Sequence, residues 1–387
     1  MAASRDRLAS NDTSHSVSSW LDAGFRPFYL MGSGFALVAA LLSAAIQLQW
    51  IALPHIDLVW WGHETIFGLV AAVSIGFLYS LARAWTKLDP ARGPWLALIA
   101  GVWLAGRIAM LLEPTPVSAA VDCAFLFLAP LPLHRVLKFS GMRKYIVLVE
   151  LLCVLALLNF LYHVAVLGMS QFSPGRLVDT AAVVSVILAK VCLQCCARDR
   201  DRAAESASIA PCDKLLFWLL ALLVPAMLLG LTLMTAVLAF AVAMTLIIPQ
   251  PWNAAQVERG YMYRMQDFSN VWVPLGFVWL GLAQFGPARE DMASHLIILG
   301  LASSSILEML TSIVSSETGQ SAVPAKGKLI VFTLLQVALL GYLTASVMPV
   351  IDMQLLIISA LLSSAGFSAY LVFYLPHFAS SNVRNAP

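Results

Sequence analysis

The amino-acid sequence predicts an all-α integral membrane protein, a polytopic bundle of about twelve transmembrane helices. Of its 387 residues, 60% are apolar and only 11% are charged, whereas soluble domains carry about 25% charged residues. The apolar residues form long runs, and a helix needs about 20 of them to cross the hydrocarbon core. The short alternating segments typical of a membrane β-barrel are not seen in the sequence. This composition excludes a soluble globular domain and a disordered chain.

The predicted spans follow one another along most of the chain. They are 28–48, 64–84, 94–112, 117–133, 145–167, 177–197, 214–230, 232–249, 270–286, 293–315, 328–348 and 353–375. The stretch from Lys214 to Pro249 is divided at Gly230, because one helix of that length would exceed a core of about 30 Å. This division decides the direction of every later span.

The positive-inside rule predicts that both termini are cytoplasmic, because lysine and arginine accumulate in cytoplasmic loops. With this orientation, all but three of the 23 lysines and arginines lie on the inner side. The outer three are Arg107, Arg176 and Arg289. Net charge is only +2, which does not support a nucleic-acid partner. We therefore expect the lipid bilayer to be the main surroundings of the chain.

The predicted domain organisation is simple. Residues 1–25 form a polar, cytoplasmic N-terminal tail without the apolar region of a signal peptide. Residues 26–378 form a single transmembrane domain, and residues 379–387 form a cytoplasmic C-terminal tail. The hydrophilic loops are too short for a separate domain.

Ionisable side chains gather near the outer ends of the predicted spans. An ionisable group within a span is unfavourable unless it has a partner or a function. The group at this depth contains His63 and Glu64 in span 2, Arg107 in span 3, Asp122 in span 4, His163 in span 5, Asp179 in span 6 and His295 in span 10. Their common depth makes them the candidate site.

Two interpretations of this group remain open. Three histidines at the ends of three helices can meet and bind a metal ion or haem iron, and nearby carboxylates can orient the imidazoles. Alternatively, each histidine is an interfacial residue at a helix end beside the tryptophan belt. For Arg107 and Asp122 we expect an ion pair across the short outer turn, with a structural role.

The segment Trp61-Gly62-His63-Glu64-Thr65-Ile66-Phe67-Gly68 resembles the HE-x-x-FG segment of the NnrS family. Further similar pieces follow in the family's order along most of the chain. They are Arg26-Pro27-Phe28, Gly76-Phe77-Leu78, Ala84-Trp85-Thr86, Trp103–Arg107, Asn159–His163, His295 with Gly300, and Thr318-Gly319.

The resemblance implies a multi-spanning protein of the bacterial inner membrane that contains haem and copper and is linked to nitric oxide and nitrosative stress. It nominates His63, His163 and His295 as haem or metal ligands. Glu64, Arg107 and Asp122 would then orient these ligands or hold the helices together. Where the family often has further histidines, this chain has Trp61, Pro274 and Glu317, which implies a smaller set of ligands.

Two other functions remain open from the sequence. Twelve spans with polar groups at depth also suit a secondary transporter of a small solute or ion, with Glu150 and Glu308 along its path. A cofactor-free accessory subunit is the other alternative. The sequence shows neither a nucleophile–base arrangement nor a phosphate-binding loop, so it assigns no enzymatic reaction and no redox partner.

Overall fold

The computed structural model describes residues 20–200, 211–247, 271–286, 290–318, 325–348 and 350–379. These ranges form helices joined by short turns and contain no strand. Most of the predicted N-terminal tail, residues 1–19, lies outside the described residues, and so does 380–387 of the C-terminal tail. The predicted all-helical fold class is confirmed.

Helices follow one another along the chain with little intervening structure. They are α1 (Phe25–Gln47), α2 (Leu58–His63), α3 (Ala71–Thr86), α4 (Gly93–Ala109), α5 (Pro116–Leu128), α6 (Pro130–Phe139), α7 (Ile146–Val166), α8 (Pro174–Arg200), α9 (Pro211–Leu228), α10 (Thr232–Ile247), α11 (Trp272–Ala283), α12 (Glu290–Leu301), α13 (Leu307–Thr318), α14 (Ala325–Val347) and α15 (Asp352–Ala379). Two π-helices, Glu64–Val70 and Ala302–Ile306, join α2 to α3 and α12 to α13, and Arg143–Tyr145 forms a 3-10 turn.

Several of these helices are suited to a bilayer. In the described ranges, seven helices are long and apolar enough to cross a membrane. They are Phe25–Gln47, Leu58–Thr86, Pro116–Phe139, Arg143–Val166, Pro174–Cys195, Lys326–Ala345 and Asp352–Pro376. Shorter apolar helices include α4, α10 and α11. The chain is therefore a multi-pass membrane protein, while its twelve spans and its orientation stay predictions.

The predicted division at Gly230 coincides with a break between two helices. α9 ends at Leu228 and α10 begins at Thr232. Gly230 has a φ of 68°, a left-handed conformation that glycine adopts without a steric penalty at a helix end. The Leu231 amide donates to the Ala226 carbonyl at 2.9 Å, which closes the turn. The apolar stretch thus contains two helices, as its length requires.

The helix run Leu58–Thr86 forms the centre of the bundle. It is almost entirely buried, whereas less than a third of the most apolar stretch of α1 and of α15 is buried. α1, α8 and α13 pack against this run, and its core residues include Phe67, Phe77 and Tyr79. Residues of this run are therefore shielded from lipid by the surrounding helices.

The Glu64–Val70 π-helix widens the central run by one residue per turn. The Gly68 carbonyl accepts a hydrogen bond from the Trp103 indole N–H on α4 at 3.1 Å. The second π-helix, Ala302–Ile306, packs against the first. π-helical turns occur frequently at functional sites. Because this segment begins at Glu64, the side chains around Glu64 are candidates for a functional site.

The predicted orientation can be tested by thiol labelling. Leu229, which is 71% exposed in the turn between α9 and α10, is predicted to face outside, and Phe139, 78% exposed at the end of α6, to face the cytoplasm. In a variant without native cysteines, Leu229→Cys should react with a membrane-impermeant maleimide on intact spheroplasts. Phe139→Cys should react only after permeabilisation. The reverse pattern would contradict the orientation.

Candidate metal centre

A buried polar cluster lies where α2, α4, α5 and α7 meet, at the depth predicted to be near the outer face. Each of its residues is at most 5% exposed. The members of this polar cluster are His63, Glu64, Arg107, Asp122, Asn159 and His163. The structure thus brings together five of the residues that the sequence nominated, and adds Asn159.

Local sequence explains why Asp122 faces this cluster. Pro116 follows the cap residue Thr115 at the start of α5, a position that suits proline because its missing N–H would have no helical partner. Thr115 and Ser118 form a reciprocal capping box, with the Ser118 amide donating to Thr115 Oγ1 at 3.1 Å. This fixed start sets the position of Asp122 two turns inside the helix.

Two glycines allow the charged groups to approach closely. A Cβ on Gly106 would lie 3.1 Å from Asp122 Oδ1 and 3.2 Å from its Cα. A Cβ on Gly68 would lie 3.1 Å from Arg107 Nη1. Both separations are shorter than an ordinary van der Waals contact, so larger residues would push the guanidinium and the carboxylates apart.

Arg107 joins the two carboxylates of the cluster. Its Nη1 lies 2.7 Å from Glu64 Oε2, and its Nη2 donates to Asp122 Oδ1. The guanidinium also lies 5.9 Å from the Phe35 ring centre and 6.0 Å from that of Trp103. The predicted Arg107–Asp122 ion pair is confirmed, and Glu64 is a second partner that the sequence did not predict.

The remaining carboxylate oxygens face the histidines. Glu64 Oε1 accepts a hydrogen bond from His63 Nδ1 at 2.9 Å. Asp122 Oδ2 lies 2.9 Å from His163 Nε2 and 3.6 Å from His63 Nε2. The two imidazoles therefore converge on one oxygen of Asp122. Two carboxylates share one guanidinium, so the buried cluster favours one further positive charge, either a proton or a bound cation.

Donor atoms of His63, Asp122 and His163 all lie within 4.8 Å of one another. Nitrogen and oxygen ligands stand about 2.0–2.2 Å from a zinc ion, which places tetrahedral ligands about 3.4 Å apart. The observed separations of 2.9 Å and 3.6 Å from Asp122 Oδ2 lie on either side of this value. Imidazole and carboxylate suit iron, copper and zinc, so the chemistry of these three residues is compatible with a single transition-metal ion.

A haem between the same two histidines does not fit this arrangement. The Tyr162 ring stacks on His63 at a centroid distance of 4.2 Å, and Phe67 lies at 4.8 Å. The His63 and His163 rings themselves are 5.4 Å apart and nearly perpendicular. A porphyrin would have to displace these side chains, so the cluster suits an ion and not a macrocycle.

The structure does not bring His295 into this group of donors. His295 lies on α12, where its buried ring stacks on Tyr342 of α14 at 5.3 Å with an interplanar angle of 16°. α12 itself packs beside α2, so the shared depth that the sequence indicated does not lead to a shared site. Its predicted role as a haem or metal ligand stays a prediction.

Asn159 and Tyr162 are site residues that reasoning from the sequence missed. Asn159 lies one helical turn before His163 on α7, so the two side chains share a helix face. An amide within an otherwise apolar run was the available signal, since buried polar groups need partners. The residue type of Tyr162 gave no such signal, because aromatic residues are common in spans, although it lies in the Asn159–His163 segment that resembles the family.

Comparison with known proteins gives one match. The model of the family described as "NnrS protein" matches residues 19–381, which include every described helix. No curated protein and no solved structure matches the chain.

Removal of the Arg107 guanidinium should strongly destabilise the protein. Arg107→Met leaves Glu64 and Asp122 as buried charges without their cation, which typically costs about 3–5 kcal/mol. The matched control is Arg92→Met, whose side chain is 73% exposed and lies 3.9 Å from Asp89, and it should change stability by less than about 1 kcal/mol. Unfolding in mixed dodecyl sulfate micelles measures both. Equal losses would contradict the structural role of Arg107.

Proposed function

The chain belongs to the NnrS family, whose model matches residues 19–381, and from this membership we propose a membrane metalloprotein that acts in the response to nitric oxide and nitrosative stress. Its metal ion is bound by His63, Asp122 and His163. Its proposed location is the inner membrane of a bacterium, as the family resemblance implies.

The observation that carries this proposal is the convergence of two buried imidazoles on one buried carboxylate oxygen. Histidine and aspartate in a membrane interior are unfavourable unless they serve a function or balance each other's charge. Arg107 contacts both carboxylates, but its single positive charge balances only one of their two negative charges. A bound cation would compensate the second carboxylate at this depth.

Each residue of the cluster has a distinct role in the proposed site. His63 Nε2, His163 Nε2 and Asp122 Oδ2 face one another and supply the ligand atoms. Glu64 holds His63 through Nδ1, an arrangement that fixes the ring and makes its other nitrogen a better ligand. Arg107 fixes both carboxylates, one oxygen of each, and leaves their other oxygens for the histidines.

Three protein ligands leave room for a further ligand on the ion. An iron or copper ion held by these residues would offer a position at which a diatomic molecule such as nitric oxide would bind. Nitric oxide is small and uncharged and dissolves in hydrocarbon, so it reaches a buried site without an aqueous channel. The apolar walls of the site, among them Phe67 and Tyr162, exclude water and anions.

Copper or non-haem iron is the occupant that this donor set supports. The haem that the family resemblance implies would need a different site, and His295 is the remaining nominated ligand for it. A haem at His295 would use other ligand atoms than the ion at the polar cluster, because His295 is not among the convergent donors and its ring stacks on Tyr342.

The test is the metal content of histidine variants. We expect His63→Ala and His163→Ala to lose most of the copper or iron that purifies with the wild-type protein in mild detergent, because each removes one of three ligands. His295→Ala is the matched control, since it removes a buried histidine outside the cluster and should retain this ion. Metal content is measured by mass spectrometry, and haem separately by absorption.

The same variants test the biological role. Cells that carry His63→Ala or His163→Ala should lose the protection against a nitric oxide donor that the wild-type gene gives to a deletion strain. A His63→Ala/His163→Ala protein with unchanged metal content would contradict the metal site, and unchanged tolerance would contradict the nitric oxide role. Either outcome would favour the transporter or the accessory subunit.

A further inference from the structure

Exposed cations gather where three membrane-suited helices end. The apolar stretches Leu58–Thr86, Pro116–Phe139 and Arg143–Val166 each have an end in this region, where α3 packs against α6 and α6 against the 3-10 turn. The exposed cations near these ends form a group that we call the basic corner. Its members are Lys87, Arg135, Lys138, Arg143 and Lys144.

An aromatic stack joins the two chain segments that carry these cations. The rings of Trp85 and Tyr145 are 3.9 Å apart between centroids, with an interplanar angle of 11°. Trp85 lies two residues before Lys87, and Tyr145 directly follows Lys144. The stack therefore holds the end of α3 beside the 3-10 turn.

A closed turn keeps the cations of the second segment together. Gly141 has a φ of 70°, which glycine adopts without a steric penalty after a helix. The Met142 amide donates to the Leu137 carbonyl at 3.0 Å, and the Arg143 amide donates to the Gly141 carbonyl at 2.9 Å. The chain thus leaves α6 and enters the 3-10 turn within a few residues, and the cations on both sides of the turn stay close.

The positive charge of the basic corner is not balanced by neighbouring carboxylates. Asp89, in the loop after α3, lies 3.3 Å from Arg83 Nε and 3.9 Å from Arg92 Nη1, so its charge is shared between two other cations. Within the described residues, no member of the basic corner forms an ion pair with a carboxylate. An anion from outside the chain would supply the missing charge.

Aromatic rings indicate the depth of the basic corner. Lys144 Nζ lies 4.9 Å from the Tyr145 ring centre, and the Arg135 guanidinium lies 5.8 Å from that of Phe139. Phe139 is 78% exposed at the end of its apolar stretch. Aromatic residues and long cationic side chains are typical of the boundary between hydrocarbon and headgroups. The basic corner therefore lies at the level of lipid phosphates.

We propose that the basic corner is a binding site for an anionic phospholipid, whose phosphate contacts the cations and whose acyl chains lie along the exposed apolar face of α6. Leu131 on this face is 57% exposed. A lipid fits better than a soluble acidic partner, because hydrocarbon begins directly beside the cations. The site is separate from the metal site, since His63 and His163 lie at the opposite ends of Leu58–Thr86 and α7.

The same cations could serve helix stability alone. α3 and α6 both end in this region, and cations near a helix C-terminus interact favourably with its dipole. That role predicts no difference between anionic and zwitterionic lipids. A lipid site predicts a preference that disappears with the charge, at about fivefold in affinity for each cation.

The test is a titration of the delipidated protein in detergent with phosphatidylglycerol, read by native mass spectrometry. Phosphatidylcholine with the same acyl chains gives the reference affinity. We expect the wild-type protein to prefer phosphatidylglycerol. The variant Lys138→Gln/Lys144→Gln should bind it at least about tenfold more weakly, because two cations are lost.

Two further variants control for charge and for residue type. Lys214→Gln/Lys326→Gln removes the same charge from two exposed lysines on α9 and α14, which pack against other helices, and should bind phosphatidylglycerol as the wild-type protein does. Lys138→Arg/Lys144→Arg retains the charge and should also retain binding. Size-exclusion chromatography shows which variants are folded, and Arg143→Gln, with about a fivefold loss, replaces the double variant if that one does not fold.

Each outcome decides the proposal. A preference for phosphatidylglycerol that is lost with the charge of the basic corner, and kept in both control variants, supports it. Equal affinity for the two lipids overturns it and favours an acidic protein as the partner. Equal losses in the two glutamine pairs, or unchanged binding in Lys138→Gln/Lys144→Gln, overturn it as well. Displacement of the lipid by free glycerol phosphate would assign the corner to a soluble phosphate compound instead.

Discussion

The neutralisation of buried charge around Arg107 is the constraint on which the rest of the site depends. Two carboxylates within an apolar bundle require a cation at close range, and Arg107 reaches both from a single helix. Gly68 and Gly106 provide the space for this contact, and the capped start of α5 fixes Asp122. The two histidines then occupy the carboxylate oxygens that Arg107 leaves available.

Much of this arrangement is predictable from the sequence, because water and lipid favour different residue types and so restrict how deep each residue lies in the membrane. Hydropathy predicted the helical fold and the apolar spans, and the distribution of lysine and arginine predicted an orientation, which stays a prediction. With the direction assigned, His63, Arg107, Asp122 and His163 lie at one depth, and the structure shows them in contact. The break at Gly230 followed from length alone.

The parts that the sequence did not predict depend on rotation and on lateral order. Hydropathy specifies how deep a residue lies, but not which neighbour its helix face meets. His295 shares the predicted depth of the cluster, yet its ring stacks on Tyr342 of α14 and is not among the convergent donor atoms. Asn159 was missed for a related reason, because its place in the site depends on hydrogen bonds to side chains of two other helices. The π-helices likewise have no simple compositional signal.

The Glu64–Val70 π-helix also affects how this region of the gene can change. In an α-helix each residue advances the chain by about 100° around the axis, so one residue more or fewer turns everything beyond it onto a different face. A single codon deletion in the α-helical turns that follow, which have no π turn to absorb it, would rotate the buried side of the rest of α3 away from α1 while His63 stayed in place. Point substitutions therefore disturb the packing of α3 less than insertions or deletions do. The length of α3 is expected to vary less than its amino-acid composition.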